Sequence, residues 1–337
     1  MVKIGIIGLG FMGDMHVAAF RQLQSVLDFK VTAIADLNRE KADKTAQLLG
    51  AKAYYSNQEL LDEADINTVD ICLPTFLHYE YASKALSKGF NLFIEKPLCL
   101  NSKDAYALVK LAEEKQVFAQ VGQCIRFWTE YEYLKQVVDD NVYGKMKHLK
   151  LRRLSPSPSW GWNNNWMLDD RLSGGAALDL QIHDADFALY LFGQPETIKS
   201  FFNHSGGKYS SIVSELGYDG FTVMTEGSWD YPPSFPFEMS YIAAFEQAAI
   251  VFSSLHGLRV YMGDGTSFCP ELKKDCVAQS DVGGNISDLG GYYNELYYFV
   301  DCVNKGVQPG KASLVAGAEA VEVVERQKSF LATNFTN

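Results

Sequence analysis

The chain has 337 residues, 47% hydrophobic and 21% charged, with a formal net charge of −11. That length suggests about two domains, and the composition is that of a water-soluble globular protein. An acidic balance without a basic patch argues against a nucleic-acid partner, and no apolar run is long enough to span a bilayer.

The six cysteines show neither a C-x-x-C pair nor zinc-ligand spacing, so no metal centre is expected. Several sit in apolar contexts such as Ile71-Cys72-Leu73, which suits free thiols in a reducing compartment. A strand pattern beginning at Val2 leaves no room for a signal peptide, so a cytoplasmic location is expected.

Val2 to Ile7 reads as a buried strand that runs into Gly8-Leu9-Gly10-Phe11-Met12-Gly13 and a helix through about Leu23. This is G-x-G-x-x-G between a strand and a helix. Gly8 permits the tight turn, Gly10 lets the backbone approach a pyrophosphate, and Gly13 allows close helix–strand packing. A second apolar strand, Val31 to Ala35, ends in Asp36, placed to bond the adenosine ribose hydroxyls or to cap the helix that follows. Its charge repels a 2′-phosphate, which favours NAD(H). Arg39, three residues on, softens that preference and leaves NADP(H) open.

The alternation continues through a helix at 39–49, a strand at 51–55, a helix near 58–63 and a strand at 68–73. A helix at 79–88, a strand at 91–95, a helix at 102–116 with Ser102 as its cap, and a strand at 117–122 complete the set. Repeated βα units of this length imply a doubly wound parallel sheet. Its strand ends, Pro74-Thr75 through His78, Glu95-Lys96 and Gln123, are expected to face the dinucleotide. His78 touches the cofactor ribose or caps its helix; both readings stand.

Leu92-Phe93-Ile94-Glu95-Lys96-Pro97 takes an apolar strand straight into a carboxylate, an amine and a proline. Charges at a buried strand end are rarely placed there unless paired or used. Pro97 restricts Lys96 to extended conformations and permits a cis bond between them. Glu95 is assigned toward the nicotinamide half of the cofactor and Lys96 toward a substrate oxygen, with an ordinary surface turn as the alternative.

Beyond Gln123 the pattern changes, which divides the chain into a domain at 1–123 and another at 124–337. A helix at 131–139 and a strand at 145–154 precede a loop rich in Pro, Asn and Trp. Gly174-Gly175 then opens a helix in which Asp179 and His183 are four residues apart and Asp186 three further on. That spacing places them along one face. A carboxylate beside an imidazole orients it for acid–base work; a surface ion pair is the alternative. Six short strands between 196 and 261 suggest an antiparallel sheet, and helices at 292–305 and 313–330 close the chain. An open sheet face calls for a cover, for which a partner subunit is the usual solution.

Taken together, Gly8–Gly13, Asp36 at its strand end, Glu95-Lys96-Pro97 and the segment from Gly174-Gly175 through Asp179 to His183 resemble the Gfo/Idh/MocA oxidoreductases, in order and in spacing. The resemblance implies an N-terminal Rossmann domain and a C-terminal α/β domain with an open, mostly antiparallel sheet, assembled as a homodimer or homotetramer. It implies that Lys96, Asp179 and His183 are catalytic, and that Arg126 faces the substrate. It also implies that the loop holding Trp160, Trp162 and Trp166 shapes the pocket, with Trp162 on the substrate. The reaction so implied is hydride transfer between NAD(P) and a hydroxyl-bearing carbon of a sugar, polyol or cyclitol. Relatives that are glycosidases using transient oxidation, or non-catalytic dinucleotide sensors, supply the alternatives.

Overall fold

Along the first third, β1 (Val2–Ile7), α1 (Phe11–Leu23), β2 (Phe29–Ala35), α2 (Arg39–Leu49), β3 (Lys52–Tyr54) and α3 (Asn57–Glu63) alternate. They are followed by β4 (Thr68–Ile71), α4 (His78–Ser87), β5 (Asn91–Glu95), α5 (Ser102–Lys115) and β6 (Ala119–Gly122). The chain continues through α6 (Thr129–Asp139), β7 (Met146–Pro156), the short α7 (Asp170–Ser173), a π-helical turn (Ala177–Gln181) and α8 (Ile182–Phe192). Strands β8 (Thr197–Ser205), β9 (Lys208–Tyr218), β10 (Phe221–Tyr231), β11 (Glu238–Phe245), β12 (Ala248–Ser253), β13 (Gly257–Met262) and β14 (Ser267–Phe268) come next, and then α9 (Gly290–Lys305) and α10 (Leu314–Asn334). This computed structural model describes residues 1–159, 165–205, 208–272 and 289–334.

The described residues divide into two units, the first made of residues 1–127 and 289–318, the second of residues 128–272 and 319–334. The first unit is therefore discontinuous, a division that no single cut in the chain describes.

In the first unit six strands pair in parallel in the order β3-β2-β1-β4-β5-β6, the expected Rossmann sheet. Successive strand residues enter opposite cores, as in a sheet covered on both faces. Ile4, Ile6 and Phe93 pack with Met15 and Phe20 of α1 and with Leu296 and Phe299 of α9, while Ile7, Ile71 and Ile94 pack with Leu86 and Leu108. Helix α9 thus returns from far along the sequence to cover one face of this sheet. Two caps differ from expectation. Asn38 rather than Asp36 caps α2 by accepting from the Lys41 N–H, and Asn101 rather than Ser102 caps α5 by accepting from the Asp104 N–H.

The second unit holds an eight-stranded sheet of order β14-β13-β12-β11-β7-β10-β9-β8. Only β7 with β10 is parallel; the other neighbouring pairs are antiparallel, as the mostly antiparallel reading expects. On its inner face the buried rings of Tyr131, Phe187, Tyr241 and Phe252 pack edge to face, with Tyr131 and Phe187 centroids 4.9 Å apart. Such pairs add about 0.5–1.5 kcal/mol beyond their burial. Among the described residues no helix is long and apolar enough to cross a membrane.

Candidate cofactor and active site

The glycine cradle lies between β1 and α1. Gly8 has φ +92°, a left-handed conformation, and a Cβ there would meet the Cys72 carbonyl oxygen at 2.7 Å. A Cβ on Gly13 would run into the Gly8 carbonyl, whereas at Gly10 a Cβ would find nothing within 4 Å. The space beside Gly10 is the approach a pyrophosphate needs. No side chain caps the start of α1, so the N–H groups from Phe11 and Met12 onward keep the helix-terminal polarity that favours phosphate.

Asp36, half-buried at the end of β2, accepts the Leu9 N–H at Oδ2 and the Asn38 N–H at Oδ1, each at 2.7 Å. One backbone bond per oxygen fixes the carboxylate and leaves each oxygen further acceptor capacity for a ribose hydroxyl. Arg39 lies over the Tyr55 ring, 4.5 Å from its centroid. The Lys41 ammonium bonds the Leu9 carbonyl and, at 2.7 Å, Asp14, bracing the same loop.

All the expected strand-end residues belong to this unit. Pro74 precedes a single 3₁₀ turn in which Thr75 is buried. His78 is a strut: its Nδ1 lies 2.7 Å from the Pro97 carbonyl oxygen and its Nε2 2.8 Å from that of Leu73. A neutral imidazole donates from one nitrogen only, so only one of these two carbonyl contacts is a hydrogen bond at a time; the N-cap position of α4 is Leu77, so His78 does not cap that helix. Burial lowers the imidazole pKa while the two carbonyls oppose. The Lys96–Pro97 bond is cis. Gln123 is fully buried, and its side-chain amide oxygen and nitrogen have no hydrogen-bond partner within the described residues. An orphaned buried amide just beyond β6 of the same parallel sheet fits a protein that completes its polar contacts with a bound dinucleotide. Arg126, also buried, donates from one terminal nitrogen to the Lys311 carbonyl at 2.8 Å.

Beneath the cradle lies a cluster that the sequence reading did not single out. His16 of α1 is fully buried, with Nδ1 2.9 Å from Asp70 Oδ2 and Nε2 3.0 Å from Glu95 Oε1. The second Glu95 oxygen accepts the Lys96 N–H at 3.2 Å, so Glu95 is spent inside the protein and not aimed outward. Cys72 adds a thiol 3.6 Å from Asp70 Oδ1, and burial pushes its pKa up. Glu295 of α9 is fully buried, and among the described residues neither carboxyl oxygen has a hydrogen-bond partner; one of its oxygens lies within 4.8 Å of a ring nitrogen of His16 and a carboxylate oxygen of Glu95. Burial, then the charge of Glu95, raises the Glu295 pKa well above the usual carboxylate range.

A raised acid pKa makes folding stability full below the unfolded value, about 4.3, and lost progressively as pH rises toward the folded value. Glu295→Gln, isosteric with the protonated acid, removes that loss. Its thermal midpoint is expected to exceed that of the wild type at pH 8 and to match it at pH 4. Each kcal/mol regained is worth about 1–2 °C in a chain of 337 residues. Equal pH dependence in the two proteins would contradict a protonated Glu295.

In the second unit Gly174 (φ +79°) and Gly175 (φ +70°) are both left-handed, and the helical run opens at Gly175 as expected, continuing through the π-helical turn into α8. They form a left-handed link between α7 and the π-helical turn, held by the Lys328 ammonium on the Gly174 carbonyl at 2.8 Å. Asp179 sits half-buried in the π turn, and His183 is buried in the first turn of α8. The run expected as one regular helix thus gains a wider turn between its two candidate residues, a distortion found often at functional sites.

The turn is anchored on the sheet. Gln181 Nε2 donates to Ser214 Oγ at 3.3 Å and Thr225 Oγ1 at 2.5 Å. A Cβ at Gly227 would meet Gln181 Cβ at 2.8 Å, so glycine there admits the close approach. Asp186 is buried on the same helix. Asp184, which the sequence reading passed over, is fully buried and its pKa is pushed up to about 7 by burial, although Arg153 Nε, 3.5 Å away, pulls it down. Trp160 and Trp162 lie outside the described residues. Trp166 packs against Met167, Ala176, Leu180 and Trp229, which accounts for one of the three tryptophans.

Comparison with known proteins fixes the class. The NAD-binding Rossmann-fold profile of the Gfo/Idh/MocA oxidoreductases matches residues 2–123, and the C-terminal-domain profile of the same family matches residues 131–251. The chain belongs to the Gfo/Idh/MocA family. It is 25% identical to the myo-inositol 2-dehydrogenase of Thermotoga maritima over 97% of this chain and 98% of that one. Identity to the scyllo-inositol 2-dehydrogenase (NAD(+)) of Bacillus subtilis is 27%, covering 91% and 88%. Among solved structures, levoglucosan dehydrogenase in complex with NADH and levoglucosan has the same fold (TM-score 0.81, 20% identity, 98% and 97% coverage). This Gfo/Idh/MocA protein is an NAD-binding oxidoreductase, and the Gly8–Gly13 cradle and Asp36 are the features of its first unit that fit the dinucleotide.

Proposed function

We propose that this Gfo/Idh/MocA protein oxidises and reduces a hydroxyl-bearing carbon of a polyol, cyclitol or sugar, with NAD as hydride carrier. The observation that carries this reading is the end-to-end likeness to dehydrogenases named for a single inositol hydroxyl. When bound, NAD supplies the carbon that accepts or returns the hydride. Asp36 holds the adenosine ribose, and its charge disfavours a 2′-phosphate. His183 accepts the hydroxyl proton as the carbonyl forms, and Asp179 orients the imidazole and stabilises its charged form. The Lys96 ammonium donates to the same oxygen and stabilises its developing negative charge. Arg126 and Trp162 complete the substrate contacts in this reading.

The homo-oligomer expected from the sequence has a candidate surface. Phe201, Met224, Ile242 and Tyr261 are exposed on the sheet face opposite α6 and α8. We take a second copy of the chain as its cover, and a monomer by light scattering at micromolar concentration would contradict that.

The function is tested by incubating the protein with NAD or NADP and a panel of cyclitols, polyols, sugars and sugar acids while following nicotinamide absorbance. Stoichiometric reduction of NAD by at least one member, faster than with NADP, is the expected result. Silence across the panel, or a clear preference for NADP, would count against the proposal and the role of Asp36 respectively.

A further inference from the structure

We propose that His16 is a positioning residue, an imidazolium that clamps the Glu95 carboxylate and through it the backbone N–H of Lys96, fixing the turn from which Lys96 acts. The inference rests on the reading of Lys96 given above and adds the device that holds it.

The geometry is a chain of three links within one unit. Asp70 in β4 meets His16 Nδ1 through both carboxylate oxygens, at 2.9 and 3.1 Å. His16 Nε2 meets Glu95 Oε1 at 3.0 Å, and Glu95 Oε2 accepts the Lys96 N–H at 3.2 Å. An ionised carboxylate only accepts hydrogen bonds, so with Asp70 and Glu95 both ionised the ring between them carries hydrogen on both nitrogens and is a cation. The tautomer follows from the network rather than from visible hydrogens. Burial works against this charge, but Asp70 and the neighbouring Cys72 outweigh it and raise the His16 pKa well above its ordinary value.

The groups facing the ring come from every element around it: Asp70 from β4, Cys72 just beyond it, Glu95 from β5 and Glu295 from α9. Apolar rings also face it, Phe93 at a centroid distance of 5.4 Å and Phe20 at 6.5 Å, both edge to face. The neighbouring strand makes room for the arrangement, since a Cβ on Gly122 would lie 2.9 Å from Glu95 Oε1. Glu95 is the last residue of β5 and Lys96 follows directly, so rotation or withdrawal of that carboxylate acts on the Lys96 backbone through its N–H.

The first test needs no variant. In ¹⁵N-labelled wild-type protein both His16 ring nitrogens are expected to show imidazolium shifts at neutral pH and to keep them into the alkaline range. A neutral ring at pH 7, or a stoichiometric divalent metal bound by His16, Glu95 and Glu295, would overturn the proposal.

The second test is His16→Gln in the full chain, which keeps one N–H donor and loses the charge. Folding is checked by circular dichroism and NADH affinity by titration. Since a displacement of about 1 Å costs on the order of 10²-fold in rate, kcat is expected to fall by that factor while NADH affinity and substrate KM change by less than about threefold. A folded variant with kcat within about threefold of wild type would overturn the proposal. Should His16→Gln not fold, Asp70→Asn loosens the ring from its other side. A loss of about tenfold in kcat is expected for it, and an unchanged kcat would overturn the proposal. The ¹⁵N measurement stands even if no substrate is found, which separates failure of this inference from failure of the proposed reaction.

Discussion

Replacing His183 by alanine is expected to cut turnover by about 10²–10⁴-fold, the usual worth of a general base, while NADH still binds. The split follows from where the residue sits. His183 belongs to α8 in the second unit, whereas the glycine cradle, Asp36 and Gln123 belong to the first. In the proposed reaction, loss of this imidazole removes the proton acceptor while the glycine cradle and Asp36 are left unaltered. His183 is buried on the segment that the Gln181 bonds to Ser214 and Thr225 tie to the sheet, so its placement is imposed by neighbours that the substitution leaves intact. Steady-state kinetics beside a fluorescence titration with NADH reads both quantities. An unchanged kcat would remove His183 from the chemistry. A parallel loss of NADH binding would point to a folding defect instead.

Lys96→Met is the second large effect. Methionine keeps most of the aliphatic length and discards the ammonium. If Lys96 stabilises charge on the substrate oxygen, the variant should lose about 10²–10³-fold in kcat, as removal of one oxyanion donor does elsewhere, with little change in cofactor affinity. The double variant with His183→Ala is expected to fall short of the product of the two losses, because groups acting on one oxygen are strongly non-additive. A full multiplicative loss would mean the two residues serve separate steps.

How much of this was legible beforehand depended on the range of each signal. Gly8-x-Gly10-x-x-Gly13 and Asp36 could be read because each role is set by a few neighbouring residues and by strand and helix periodicity. The parallel sheet followed from the βα alternation for the same reason. His16 could not be read in that way. It looks like one more residue on the inner face of α1, and its partners Asp70 and Glu95 lie 54 and 79 residues away. Two traces were present: a histidine three residues after Gly13, and an aspartate in the fully buried Thr68–Ile71 strand. Neither means much until the fold brings them together.

Glu295 was hidden in the same manner, inside the aromatic-rich helical stretch Tyr292-Tyr293-Asn294-Glu295-Leu296-Tyr297-Tyr298. That α9 returns to the first sheet is a matter of topology, which local pattern does not encode. The glycine pair 174–175 does open the helical run, but its left-handed link and the π turn behind it break the 3.6-residue period expected of one regular helix.

Retention of hydride is the most direct test of the central claim. A substrate identified from the panel, deuterated at the carbon that bears the reacting hydroxyl, is mixed with the protein and one equivalent of NAD, and the label is followed by mass spectrometry. The proposed dehydrogenase reaction predicts deuterium in free NADH, in amounts equal to the ketone formed. Deuterium returned to a hydrolysed product, with the cofactor left oxidised, would contradict it in favour of transient oxidation without net redox change.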